Sequence, residues 1–203
     1  MRDIPVVTAL LVACGLMFLA EQSAGSSLIG WLALWPLGLT TTVPLEAPAF
    51  HPWQVVTYGF LHGSVLHLAL NLYALWLFGA PLERRWGAAR FAAFYFSCVI
   101  GAALMHLIVA EFVLAEGVRA YPVIGASGGV FGLLLAFGYL YPDRQLLLLF
   151  PPIPIKARWF VIGYGVIELV AGVTGSTSGI AHFAHLGGML TGYLLLRGAR
   201  WLF

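Results

Sequence analysis

Charge is scarce in this sequence. Of its 203 residues only 9% are Asp, Glu, Lys or Arg, while 61% are hydrophobic and the mean hydropathy is +0.94. An ordinary soluble domain carries about 25% charged residues, so that class is excluded. The net charge of +2 is too small for a nucleic-acid-binding surface. Cysteine is scarce too. Cys14 and Cys98 both fall inside apolar runs, which reads as two buried thiols and excludes a disulfide framework. The ten-residue alternating runs of a membrane β-barrel are missing. No small-residue cleavage site follows the first apolar run, so it reads as a retained helix, not a cleaved signal peptide. The HExxH pattern of zinc proteases does not occur.

What is present is a set of six apolar segments, at about 4–20, 64–82, 91–115, 124–141, 159–173 and 180–203. Each is near the length needed to cross about 30 Å of hydrocarbon as a helix. The expected architecture is all-α: a polytopic six-helix membrane bundle forming a single domain over 1–203, with no soluble domain appended. Residues 22–63 are rich in Trp, Leu and Pro and read as a long interfacial loop. Residues 142–158 carry four prolines, which argues against a regular span, and are also expected at the interface. Arg2, Arg84, Arg85, Arg90, Arg144, Lys156, Arg158, Arg197 and Arg200 flank one set of helix ends, and only Arg119 the other. That asymmetry predicts both termini in the cytoplasm.

The second, fourth and sixth segments then run from outside to inside. His67 and Asn71, Ser127, and His185 should lie at similar depth in the outer half of the bilayer. Polar side chains are costly in lipid, so such a set points to a functional site. The fourth helix offers about 16 residues, roughly 24 Å of rise, which is shorter than the bilayer core. Its outer end, with Ser127, should therefore sit below the membrane surface beneath a water-filled cavity.

Hydrolysis needs a nucleophile, a base and an oxyanion site. Ser127 offers the hydroxyl and His185 the base. The Ser127 backbone N–H lies at a helix N-terminus, and His67 and Asn71, four apart on one face, can donate further hydrogen bonds. Gly128 and Gly132, and Gly188 and Gly192, form GxxxG faces that let two helices approach. Phe131, one turn below Ser127, is placed to pack on the His185 ring. No carboxylate stands out as a third member: Asp143 is at the wrong end, and Glu168 has no assigned role, so a Ser127–His185 dyad is expected. Soluble hydrolases also use a GxSxG elbow, but that requires a strand before the Ser. A metal site built from His62, His67, His182 and His185 is disfavoured, because no carboxylate stands beside them. His51 reads as an interfacial loop residue and His106 as interhelical packing.

Together these motifs resemble the rhomboid family of intramembrane serine proteases, over essentially the whole chain. Gly125-Ala126-Ser127-Gly128 resembles its GxSG motif and His67-Leu-Ala-Leu-Asn71 its HxxxN. His185 with Gly188 and Gly192 resembles the AHxxGxxxG of the last helix, a register that selects His185 over His182. Glu83-Arg-Arg-Trp-Gly87 fits the turn after the second helix. The resemblance implies a Ser–His dyad that cleaves peptide bonds in or near transmembrane segments of membrane-protein substrates. It implies that the HxxxN pair lines the oxyanion hole, and that neither cofactor, metal nor nucleic acid takes part. A bare six-helix core of this kind fits a bacterial inner membrane. Many family members carry Trp-Arg in the first loop, where this chain has Trp53-Gln54, which bears on the loop's anchoring. A non-catalytic relative that recruits transmembrane clients is the alternative implied by the same resemblance.

Overall fold

The computed structural model describes residues 3–38, 48–116, 121–148, 151–174 and 179–198. The expected Arg2, Arg119 and Arg200 charges, and the end of the last segment beyond residue 198, lie outside them. All six apolar segments are helical. They form α1 (Pro5–Ala24), α4 (Val65–Trp86), α5 (Ala88–Ala115), α6 (Ser127–Leu140), α7 (Ala157–Thr174) and α8 (Gly179–Gly198). Short helices α2 (Ser26–Leu32) and α3 (Gln54–Thr57) and a 3-10 turn at Tyr58–Phe60 lie in the long first loop. Helices α1, α4, α5 and α7 are long and apolar enough to cross a membrane. The protein is an integral membrane protein of polytopic helical fold.

Several bounds differ from expectation. Helix α4 runs four residues past 82, through Pro81, and ends at Gly87, which has φ +82°. The missing N–H of Pro81 did not break it, as is common where neighbouring helices support the backbone. The extra turn places Glu83 in the protein interior, 1% exposed, where its two oxygens accept the Val6 and Val7 N–H groups at 2.8 Å each. These are orphan donors of the first turn of α1, so Glu83 caps a helix other than its own. Residues 142–158 are not merely irregular. Strands β1 (Gln145–Leu147) and β2 (Pro154–Lys156) pair antiparallel, with Leu146 opposite Ile155. Leu146 turns into the bundle, while Gln145 and Leu147 face out. Arg85 lies over the Tyr141 ring and Arg144 over the Phe137 ring, so basic residues do gather at one end of the bundle.

The first loop is anchored. Gln54 is fully buried; its side-chain oxygen accepts the His51 and Trp35 N–H groups, and its amide donates to the Trp31 carbonyl. Trp31, His51 and Trp53 stack with interplanar angles of 5–14°. A neutral Gln thus holds this loop at the position where the resemblance led to an expected Arg. Glu21, late in α1, accepts the His62 N–H and ties the loop's far end to the bundle.

Helix α6 is the centre of the bundle. Ten of its residues are buried, among them Gly128, Gly129, Val130, Phe131 and Gly132. Glycines allow this. A Cβ at Gly129 would overlap the Tyr95 ring, and one at Gly132 the Cys98 side chain, both on α5. On the other side a Cβ at Gly188 of α8 would overlap the Gly128 carbonyl oxygen. Helices α6 and α8 therefore meet backbone to backbone, while α5 lays side chains into the space that the α6 glycines leave.

Candidate active site

The stretch before α6 is fixed from three directions. Leu34 and Val123 exchange backbone hydrogen bonds at 3.1 Å each. The Gly125 N–H donates to the Tyr58 carbonyl at 2.9 Å, and the Tyr58 hydroxyl donates to the Val99 carbonyl at 2.8 Å. Gly125 itself has φ +123°, a region that side chains rarely adopt, and a Cβ there would lie 2.8 Å from His67 Nε2. Only glycine meets both demands. Helix α6 then begins at Ser127, three residues later than the apolar pattern suggested. Its 14 residues rise about 21 Å, so it is shorter still against the bilayer core. The first-turn N–H groups, from Ser127 onward, have no acceptor within the helix and carry its positive end.

Ser127 and His185 are brought together. His185 Nε2 lies 2.8 Å from Ser127 Oγ, although the two residues are 58 apart in sequence. Phe131 stacks on the His185 ring, with centroids 4.3 Å apart and planes 9° from parallel. Gly192 approaches the Gly132 carbonyl as Gly188 approaches that of Gly128, so both glycine stripes lie in the same contact.

His67 and Asn71 sit on α4 beside the same cleft. Ser64 caps α4 by accepting the His67 N–H at 3.1 Å, and one amide proton of Asn71 goes to the His67 carbonyl at 2.9 Å. The other Asn71 proton is free for a ligand. Both residues line a cavity of about 640 Å³ with Ser127 and His185. That cavity continues between α4 and α7, past Phe78 and Phe160, to Leu146 of the hairpin. Neither residue hydrogen-bonds to Ser127, whose hydroxyl faces His185. Their shared feature is the space above the hydroxyl.

Two expectations need correction. A Ser–His pair without a carboxylate was expected, yet Glu168 of α7 stands behind the histidine. Its Oε2 is 2.8 Å from His185 Nδ1 and 2.7 Å from His182 Nδ1. A carboxylate oxygen can only accept, so both Nδ1 atoms carry protons and His185 Nε2 is left as an acceptor facing Ser127. The same contact corrects the reason for discounting metal ligation. Glu168, His182 and His185 present donor atoms that all lie within 4.8 Å of one another. Among the described residues His62 and His67 do not join that group; their rings meet edge-on at 5.1 Å instead. A sequence signal for Glu168 did exist: it is a lone acid in an apolar span, which by default marks a functional position. His106 is fully buried in α5, and among the described residues neither ring nitrogen has a hydrogen-bond partner.

This arrangement can abstract a proton from a hydroxyl, return it to a leaving group, and offer N–H donors to a developing oxyanion. The cleft is walled by apolar helices.

The family model described as the Rhomboid domain matches residues 49–200. Mitochondrial rhomboid protein 1 of Saccharomyces cerevisiae is 34% identical over 141 residues, covering 70% of this chain and 40% of the yeast protein. Rhomboid protease GluP of Bacillus subtilis is 31% identical over 144 residues, covering 70% of this chain and 25% of GluP. Rhomboid protease GlpG of Serratia proteamaculans is 26% identical over 198 residues, covering 94% of this chain and 61% of GlpG. The chain thus spans a quarter to three fifths of the length of these relatives. With the Rhomboid domain matching three quarters of its residues, this chain belongs to the rhomboid family.

Proposed function

We propose that this protein is an intramembrane serine endopeptidase that cleaves transmembrane substrates. The observation that carries the reading is the 2.8 Å contact between His185 Nε2 and Ser127 Oγ, across two helices held together by glycine. Ser127 Oγ attacks the scissile carbonyl carbon while His185 Nε2 takes its proton. The negative oxygen that results accepts hydrogen bonds from the Ser127 N–H and from the His67 and Asn71 side chains. His185 returns the proton to the leaving amine, and the C–N bond breaks. An ester to Ser127 remains, which water then hydrolyses with His185 again as base. Glu168 holds the His185 tautomer and faces the imidazolium as it forms, the part played by the carboxylate of a Ser–His–Asp site.

Two relatives named as rhomboid proteases support this reading, as does the retention of both Ser and His. Residues 1–203 form a single membrane domain in this reading. The termini lie in the cytoplasm, in the plasma membrane of a bacterium, and the cleft opens to water on the outer side. Substrate helices come in sideways, between α4 and α7, along the cavity that reaches Ser127.

The test is labelling by a fluorophosphonate serine probe, together with cleavage of a reporter transmembrane substrate. Ser127→Ala and His185→Ala should each abolish cleavage while the protein still folds. The double variant should be no worse than either single one, because the two residues act as a unit. Substantial cleavage by Ser127→Ala would end the serine reading. His182→Ala should retain far more cleavage than His185→Ala.

A further inference from the structure

We infer that Glu168, His182 and His185 form a binding site for a zinc-class divalent cation, and that its occupancy removes His185 as a base. The second half of this inference rests on the protease reading above; the first does not.

The donor set is the first argument. Two imidazole nitrogens and one carboxylate oxygen come from two adjacent helices, α7 and α8. This set suits zinc, cobalt, nickel and copper, whereas magnesium and calcium prefer all-oxygen surroundings. Three protein ligands with a fourth position left to water is a common zinc arrangement.

The second argument is direction. Both Nδ1 atoms point at the same carboxylate oxygen, at 2.7 and 2.8 Å, with the two rings perpendicular and their centroids 6.2 Å apart. The carboxylate oxygen now stands where the two Nδ1 vectors meet, so a cation takes that place once the carboxylate swings aside and the protons leave Nδ1. Zinc bonds of about 2.0–2.1 Å hold tetrahedral ligands about 3.3 Å apart. Each nitrogen–oxygen spacing then opens by about half an ångström, a change within the reach of side-chain rotation. Among the described residues no Lys or Arg neutralises Glu168; its ion-pair partners are the two histidines.

The third argument is access. Glu168 is buried, at 8% side-chain exposure, but His182 and His185 remain 30% and 21% exposed. Glu168 and His185 also line the cleft that holds Ser127, so a hydrated ion can reach them.

The consequence follows from counting protons. A neutral imidazole has one. With Nδ1–H given to Glu168, Nε2 accepts from the Ser127 hydroxyl. With a cation on Nδ1, that proton sits on Nε2, which then donates to Oγ. The histidine no longer has a lone pair to take the Ser127 proton, and nothing need be released to solvent. Inhibition is therefore by tautomer, without the cation touching Ser127.

The test has two arms. In the first, zinc or cobalt is titrated into purified wild-type protein and into Ser127→Ala. Both should bind one ion per chain, read by competition with a chromophoric chelator and by the visible spectrum of bound cobalt. His182→Ala, His182→Gln and Glu168→Gln should each weaken binding by about tenfold or more, since even residues supporting a metal ligand contribute about 10–100-fold. This arm stands whether or not the chain is a protease. In the second arm, zinc should suppress wild-type cleavage and serine-probe labelling, and a chelator should restore both. Magnesium and calcium should do neither. In His182→Gln, which keeps a hydrogen-bond donor for Glu168, the zinc concentration for half-inhibition should rise in step with the binding constant. Absence of one-to-one binding, or binding that survives loss of His182, overturns the site. Binding that leaves probe labelling unchanged, or that stimulates cleavage, overturns the switch.

Discussion

The two flanks of Ser127 are built differently. Toward α8 the contact is backbone on backbone. Gly188 meets Gly128 so closely that a Cβ would overlap its carbonyl oxygen, and Gly192 lies against Gly132 with little room to spare. Toward α7 the contact is side chain on side chain, with Phe131 6.0 Å from Tyr164 and Phe78 6.4 Å from Phe160, and the cleft lies between α4 and α7. Helix α7 is tight against α6 only at its inner end, where a Cβ on Gly138 would overlap Val161. Above that point Ile162, Val166, Ile167 and Val170 are each more than half exposed. The difference divides the labour. In the protease reading, nucleophile and base ride on a pair of helices locked backbone to backbone, whereas the carboxylate rides on one held by side-chain contacts. Opening α7 at its outer end would admit a substrate helix and carry Glu168 with it, leaving the Ser127–His185 distance unchanged.

The sharpest way to break this comparison is to put matching changes on the two flanks. Gly188→Ala should be more damaging by far than Gly163→Ala. The new side chain has nowhere to go but into the Gly128 carbonyl, a backbone group that cannot rotate aside. Overpacking of ordinary cores costs about 1–3 kcal/mol, and this site lacks the flexible neighbours that soften it. Probe labelling and cleavage should both vanish and the melting temperature in detergent should fall. Gly163→Ala on α7 meets nothing within 4 Å and should leave labelling intact. Equal effects at the two positions would mean that the flanks are equally rigid.

Next in size is Glu168→Gln. The amide keeps the shape but loses the negative charge opposite the imidazolium. Replacing the triad carboxylate by an amide costs about 10⁴ in kcat in a soluble serine protease, and a partly exposed cleft should bring this to about 10²–10⁴ here. KM should change little, because the carboxylate touches no substrate. A kcat within twofold of wild type would reduce Glu168 to a packing residue. A smaller, selective effect is expected when α4 and α7 are cross-linked near Phe78 and Phe160. Cleavage of a membrane-embedded substrate should slow, while a small water-borne serine probe still labels at the normal rate. Undiminished cleavage in the fully cross-linked protein would rule out lateral access by this route.

Most of the fold was legible because membrane helices announce themselves by length and apolarity, and the site because Ser127, His185, His67 and Asn71 are polar where polar groups are costly. The glycine stripes were readable for the same reason that they pack: spacing of four on a helix puts them on one face. What was not legible depended on contacts between distant segments. Glu83 read as part of the turn after the second helix, whereas in the fold α1 leaves its first N–H groups on it. Gln54 looked like a loss of anchoring until three segments of the first loop were seen to converge on its amide. Glu168 could not be assigned from one dimension, since its partners lie 14 and 17 residues further on, on the next helix. The hairpin at 145–156 was hidden by its prolines, which occupy the turn and the start of β2 and leave a three-residue ladder intact.

The smallest expected effect is at that hairpin. Asp143 accepts a hydrogen bond from Lys156 at 3.1 Å and forms an ion pair with Arg158 at 2.8 Å, and these cations hold its carboxyl below the usual carboxylate range. All three side chains are substantially exposed, so screening by water leaves the pairs little to contribute. The sign is nonetheless fixed. A carboxyl with a depressed folded-state pKa adds stability above its unfolded value of about 3.9, and that stability is lost as pH falls through the lower, folded value. Asp143→Asn should therefore lower the melting temperature in detergent slightly at neutral pH. The gap from wild type should close only at a pH below the ordinary carboxylate range. Raising the salt concentration at neutral pH should close it as well, because exposed charges are screened within about 10 Å at 0.1 M. A large gap that survives high salt would show that the hairpin, and not only the Gly138–Val161 contact, fixes the inner end of α7. The splay of that helix would then pivot from its first residue.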